Sequence, residues 1–214
     1  MRKLVFLGAT ANNADIVDAV QRINDLKPTF DVLGYVSPNG EPQPGTDLGF
    51  LGGDDAIGAL PSDVQVIGFR FGPGNYRAWP QMVADFGLPD ERWATVIDPR
   101  ASVSRRSTVG FGSVVLAGTM VGTDVRIGNH TVILQNATLS HDDVIDDYCA
   151  VSVGATFAGF VHVERNCFIG AGSTLIARTV GEGSMVGAGS LIRRDVPAGE
   201  VWVGNPGRLL RKVT

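Results

Sequence analysis

The stretch Leu139–Leu175, "LSHDDVIDDYCAVSVGATFAGFVHVERNCFIGAGSTL", repeats with a period of six. Every sixth position is large and apolar: Leu139, Ile145, Val151, Phe157, Val163, Ile169 and Leu175. The register runs backwards unbroken through Ile133, Ile127, Val121, Val115, Val109 and Val103 to Ile97. Four residues after each of these comes a mostly small or β-branched residue, as in Ser107, Ser113, Thr119, Thr131, Ala137, Cys149, Ala155 and Cys167, with Asp143 the exception. After Leu175 the register slips by one and resumes as Val180, Val186 and Ile192. Such a repeat predicts a parallel β-helix, in which each hexapeptide supplies a short strand and a turn, the aliphatic residue points inward and the small one fits the corner. Three hexapeptides close a triangular coil of 18 residues, so Val96–Ile192 winds somewhat more than five coils. Neighbouring coils should lie about 4.8 Å apart. No single repeat can bury its own apolar side chain, so the column folds as a unit. Cys149 and Cys167 then stack on adjacent coils. Two small side chains filling neighbouring corners is the simpler reading, and a redox pair is the alternative.

Residues 1–93 have a different rhythm. "KLVFLGA", "FDVLGYVS" and "VQVIGFRF" read as buried strands, and "NNADIVDAVQRINDL", with an Asn cap, "GDDAIGAL" and "NYRAWPQMVADFG" as helices. This alternation predicts a small Rossmann-like parallel sheet with ligands at the carboxyl ends of its strands. The expected organisation is an α/β acceptor-substrate domain over 1–93, the β-helix over 94–195 and a C-terminal tail over 196–214.

Composition narrows the function classes. The 214 residues carry 18 Lys and Arg against 22 Asp and Glu, scattered without a basic stripe, which argues against a nucleic-acid partner. The apolar run after Met1 is shorter than a signal h-region and far shorter than a membrane span, so a cytoplasmic protein without a membrane partner is expected. Two cysteines without a CxxC motif agree with a reducing compartment.

From Val96 onward, and most clearly in the quoted stretch, in "VGAGSLIRRDVP" and in "VWVGNPGRLLR", the chain resembles the bacterial hexapeptide-repeat sugar O- and N-acetyltransferases, the group acting on sialic acids and nucleotide-linked amino sugars. The resemblance covers the first half only in outline. It implies a left-handed β-helix, a homotrimer, acetyl-CoA as co-substrate in a groove between subunits, no metal, and a sugar or nucleotide-sugar acceptor from surface-polysaccharide biosynthesis. An acceptor without a nucleotide, or a catalytically silent trimeric binding module, are the alternatives.

The quoted stretch contains His141, which the register puts on a turn beyond the inward Leu139. Acetyl transfer needs a base for the acceptor's proton, and imidazole suits that task near neutral pH. The resemblance makes His141 the base, Asp142 its carboxylate partner and the Gly159 amide the oxyanion donor, with acetyl-CoA contacts at Gly159, Ala171 and Ala188. A histidine that touches the cofactor in the family is Ala150 here. Asp143 either adds negative charge beside His141 or turns out to solvent. His130 and His162 are expected at the surface or an interface, and the spacings of the three histidines do not resemble the metal site of hexapeptide-fold carbonic anhydrases. The basic residues Arg193, Arg194, Arg208, Arg211 and Lys212 either attract CoA phosphates or cap the last coil. For the acceptor, the resemblance implies Gly8, Thr10, Ala11 and Asn12 in the first loop, Ser37 after the second strand, and Gly72, Asn75 and Arg77 in the third element. Family glycines are replaced here by Ala11 and Asn13, whose side chains are expected to hold phosphates off, and a family histidine by Asn12.

Overall fold

The computed structural model describes residues 1–176 and 179–213. The slip of register passes through residues 177 and 178, which lie outside the described residues, as does the last residue of the tail. Strands β1 (Arg2–Phe6), β2 (Phe30–Tyr35) and β3 (Val64–Ile67) form a parallel sheet in the order β2-β1-β3. Helices α1 (Asn12–Leu26), α2 (Asp55–Gly58) and α3 (Trp79–Asp85) alternate with them. The expected Asn cap is not used: Ala11 occupies the cap position of α1, and Asn13 turns inward.

From Val96–Ile97 to Leu191–Ile192 the chain forms two-residue strands that stack in parallel on three faces. Face one carries Val114–Val115, Val132–Ile133 and Ala150–Val151, face two Met120–Val121, Thr138–Leu139 and Thr156–Phe157, and face three Arg126–Ile127, Val144–Ile145 and His162–Val163. The architecture is the left-handed parallel β-helix with a small N-terminal α/β portion. Every inward residue from Val115 to Ile192 is buried, while Ile97, Val103 and Val109 at the open end are partly buried. Each such side chain contributes roughly 1.5–3 kcal/mol before ordering entropy is subtracted. Cys149 and Cys167 are buried free thiols in neighbouring corners, and burial pushes the Cys149 thiol up. That matches the simpler reading of the pair.

The outward residues of face one are apolar too: Val96, Val114, Val132 and Ala150 belong to the same core as Leu4, Phe6, Trp79 and Trp93. The α/β portion therefore sits on face one. Polar pins fix it there, with Arg22 of α1 donating to the buried Asp98 at 2.6 Å, the Trp79 indole to the His130 carbonyl at 3.1 Å and the Tyr76 hydroxyl to the Gly183 carbonyl at 2.8 Å. Burial pushes the Tyr76 phenol up to about 12. Residues 196–214, read from sequence only as a tail, carry an antiparallel hairpin of β21 (Glu200–Val203) and β22 (Arg208–Lys212), counting the β-helix strands as β4–β20. Strand β21 adds in parallel to Met185–Val186 of face one.

His130 corrects an expectation, since it is buried and not at the surface. Its ring stacks on Tyr148 at 5.1 Å and meets Trp93 edge-on at 4.8 Å. Burial lowers its pKa from 6.5, with Asp90 and Asp147 opposing. A histidine depressed in the folded state takes up its proton more readily when unfolded, so its contribution is full above 6.5 and lost as pH falls through the folded value. Chemical denaturation should show stability falling by up to about 1.4 kcal/mol per pH unit in that window. A His130→Asn variant should show a flatter profile there.

Candidate active site

The corners of the prism follow one rule, and the site is where that rule is broken. Three residues after each inward side chain from Val109 to Ile169 the backbone enters the left-handed region: Gly112, Gly118, Asp124, His130, Asn136, Asp142, Tyr148, Gly154, Phe160, Asn166 and Gly172 all have φ between 52° and 72°. Gly, Asn and Asp tolerate this best. One residue later the small side chain zips the coils together. The Ser113 hydroxyl accepts from the Thr131 amide at 2.9 Å and donates to the Gly128 carbonyl at 2.7 Å, and Thr131 repeats both bonds with the Cys149 amide and the Asp146 carbonyl.

At the edge between faces two and three, Asp143 stands in that corner slot. It is fully buried, so the alternative of a side chain turned to solvent is wrong. One carboxylate oxygen accepts from the Val161 amide at 2.9 Å, as the hydroxyls do, but the other accepts from the Ser140 amide at 2.8 Å. Burial raises its pKa, while those two amides and His141 pull it back. A carboxylate has no proton for the carbonyl above, that of Ala158. The next residue, Gly159, has φ +96°, a left-handed turn one position earlier than the rule allows.

His141 lies against this irregularity. Its Nδ1 is 2.9 Å from Asp142 Oδ2, and both side chains are about half exposed. A Cβ on Gly159 would stand 3.0 Å from His141 Nε2, so only glycine leaves the backbone this close to the imidazole. Phe160 meets the His141 ring edge-to-face at 5.0 Å. The structure therefore brings together His141, Asp142 and Gly159, and adds Phe160 and Asp143. Ala171 and Ala188 are exposed on a different edge, between faces one and two, where the Gly189 amide bonds the Ala171 carbonyl at 2.8 Å. Ala150 is packed beneath the α/β portion. Higher on the His141 edge, Arg193, Arg194 and Arg208 surround a cleft of about 180 Å³. His162 lies on face three and pairs with Asp146 at 3.0 Å. Among the described residues no three His, Cys, Asp or Glu side chains converge on a point.

The acceptor candidates divide. Gly8, Thr10, Ala11, Asn12 and Asn75 line a cavity of about 270 Å³ at the carboxyl ends of β1 and β3, with Phe69, Arg70, Phe71 and Gln43. Ser37 does not reach it, being buried with its hydroxyl donating to the Glu41 carbonyl at 2.5 Å. The Gly72 amide donates to Asn75 Oδ1 at 2.7 Å, and Arg77 lies elsewhere, against Gly183 and near Arg211. Asn13 corrects the reading of the loop. It is buried, donating to the carbonyls of Leu7 and Phe69 and accepting from the Phe69 amide, so it ties β1 to β3 and holds nothing off. Ala11 has φ 52°, a conformation that suits glycine. Arg70 was missed from the sequence. It forks onto Asp54 at 2.5 and 2.6 Å and caps the Leu7 and Val36 carbonyls, separating this cavity from a larger one of about 560 Å³ walled by Ile57, Met82 and Phe86.

A family model described as the hexapeptide repeat of succinyl-transferase matches residues 161–194. That match lies within the period-six coil, which carries the same hexapeptide repeat on all three faces. Gamma carbonic anhydrase 1 of Arabidopsis thaliana is 36% identical over 134 residues, covering 55% of this chain and 48% of that one. The chain thus matches about half the length of such curated relatives. The acetyltransferase domain of PglB from Neisseria gonorrhoeae, solved with acetyl coenzyme A, is 26% identical over 98% of this chain and 99% of its own, with a TM-score of 0.80. PerB from Caulobacter crescentus, solved with CoA and GDP-perosamine, shares the fold at 22% identity and a TM-score of 0.81, covering 98% of this chain and 97% of its own. No described helix is long and apolar enough to cross a membrane.

The Asp143 slot makes a sharp prediction. In Asp143→Asn the amide must point its N–H at either the Ser140 or the Val161 N–H, leaving one backbone donor unsatisfied in the core. Urea unfolding should show a loss of about 1–3 kcal/mol. Asp143→Ser restores the hydroxyl used by other corners and should lose less.

Proposed function

We propose that the protein is a cytoplasmic, acetyl-CoA-dependent acetyltransferase acting on an amino or hydroxyl group of a sugar, most simply a nucleotide-linked amino sugar, and that it works as a homotrimer. The observation that carries this reading is the His141–Asp142 pair with Gly159 beside Nε2. Asp142 holds the proton on Nδ1, which leaves the Nε2 lone pair facing the site. As the acceptor nitrogen or oxygen attacks the thioester carbonyl carbon, its proton passes to Nε2. The carbonyl oxygen takes the negative charge, and the Gly159 amide is the donor for it. Collapse breaks the carbon–sulfur bond, the acetyl group stays on the acceptor, and the departing CoA thiolate takes the proton from the imidazolium. The Asp142 carboxylate stabilises that imidazolium while it lasts.

The arginine cleft supports CoA as donor. Arg194 stands on the His141 edge three coils further along, roughly 14 Å at the spacing of stacked strands. That separation suits a pantetheine arm with its thioester at His141 and its phosphates among the guanidiniums. The position of the cavity supports an assembly of copies. The α/β cavity belongs to the portion docked on face one, whereas His141 lies on the edge opposite that face. An acceptor held in that cavity meets a His141 most directly on a second copy. The likeness to the PglB domain, solved with acetyl coenzyme A, supports the acetyl donor, and that to PerB, solved with GDP-perosamine, supports the sugar class.

His141→Ala should lower kcat by about a hundredfold or more and leave CoA affinity nearly unchanged, and Asp142→Asn should lose less, in an assay of thiol release with a panel of amino sugars and their nucleotides. A loss confined to KM makes His141 a binding residue instead. Because the Ala11 methyl narrows the first loop and Ser37 is turned away, bare UDP should bind only on the order of 10⁻³ M by calorimetry, about −4 kcal/mol. Micromolar binding refutes that part.

A further inference from the structure

We propose that Asp143 is a positioning residue that holds the His141 segment and the Gly159 segment at their working separation; the proposal rests on His141 being the base. At the edge between faces two and three a regular rung joins the coils. The amide just after each inward residue of face two donates to the carbonyl of the inward residue one coil on: Ser104 to Val121, Gly122 to Leu139 and Ala158 to Leu175, at 2.9 to 3.0 Å. Ser140 breaks that series, because its amide goes to Asp143 Oδ2 at 2.8 Å and not to the Phe157 carbonyl. The strand pairing shows the same gap, with Thr138 and Thr156 paired but Leu139 and Phe157 not. A buried carboxylate is a costly way to zip two coils. Ser107 stands in the same corner slot two coils earlier and does that task with a hydroxyl, accepting from the Val125 amide at 2.9 Å and donating to the Gly122 carbonyl at 2.6 Å. What Ser107 leaves on the ladder and Asp143 takes from it is an amide, that of Ser140, immediately before His141. The other carboxylate oxygen holds the Val161 amide at 2.9 Å, two residues after Gly159. One fully buried side chain therefore bonds the backbone on both sides of the close approach between Gly159 and His141 Nε2. The carboxylate cannot turn without releasing one of the two segments.

Asp143→Ser separates this role from coil stability. Its hydroxyl takes over the Val161 amide as Ser107 does that of Val125, and the Ser140 amide is released to close the rung with the Phe157 carbonyl. In the thiol-release assay kcat should fall by about tenfold to a hundredfold, with KM for acetyl-CoA and acceptor held within about twofold. Crystal structures of the wild-type protein and the variant give the second readout. The variant should show Ser140 paired with Phe157 and His141 drawn away from Gly159. Asp143→Thr carries the same test if the Ser variant does not fold, since Thr119 and Thr131 fill other corners with their hydroxyls. An unchanged kcat, a kcat that falls only in step with the folded fraction, or a lower kcat with Ser140 and His141 unmoved each overturns the proposal. If His141→Ala proves fully active, the base assignment fails, while the two crystal structures still decide whether Asp143 holds the segments in place.

Discussion

Burial of one apolar side chain every six residues constrains everything else in this molecule. An inward Val, Ile, Leu or Phe is covered only when coils stand directly above and below it, so the column from Val115 to Ile192 forms as a unit or not at all. Once it forms, each face and edge has a fixed address. The apolar outward residues of face one then decide where the α/β portion docks, because Val96, Val114, Val132 and Ala150 would otherwise face water. Arg22, Tyr76 and Trp79 set the docking angle, and with it the position of the acceptor cavity.

Against so regular a frame, departures are informative. Every corner needs a left-handed residue and a small neighbour that satisfies amides and carbonyls of the next coil. Asp143 meets the amides without a proton for the carbonyl, Gly159 turns early, and Phe160 accepts an unfavourable backbone in the open. All three touch or flank His141. Local chemistry that works against the repeat is concentrated at one edge, where rigid coils can hold it, as expected when a functional site is supported by an over-determined scaffold.

The β-helix was legible because inward burial imposes a period that a single sequence displays without interruption. The α/β order was legible for the same reason at a coarser level. The corner rule was also present in the letters, since Gly, Asn and Asp recur three residues after the aliphatic column, and reading it would have marked Asp142 and Phe160 as backbone positions as well as side chains. The failures share a cause. His130 and Asn13 are polar residues whose partners lie far away in sequence, since Asn13 serves Phe69 and His130 packs against Trp93, while Ser37 is turned from the cavity by the nearby Glu41 carbonyl. No local pattern reports such a partner, so each was assigned by its type or by resemblance and not by its surroundings.

The same distance in sequence explains how the two halves of the site divide their tasks. The donor half is built from repeats that see only their neighbours, so its geometry is fixed by coil spacing and can be read one coil at a time. The α/β cavity depends on loops at the ends of β1, β2 and β3, held by a few side chains such as Asn13 on Leu7 and Phe69 and Arg70 on Asp54. A substitution there changes the shape of the cavity without disturbing the column beneath it. A change at Ala11 therefore reshapes the cavity, while His141, Asp142 and Gly159 stay where the coils put them. Sequence change in this fold can alter the cavity far more easily than it can move the His141 edge.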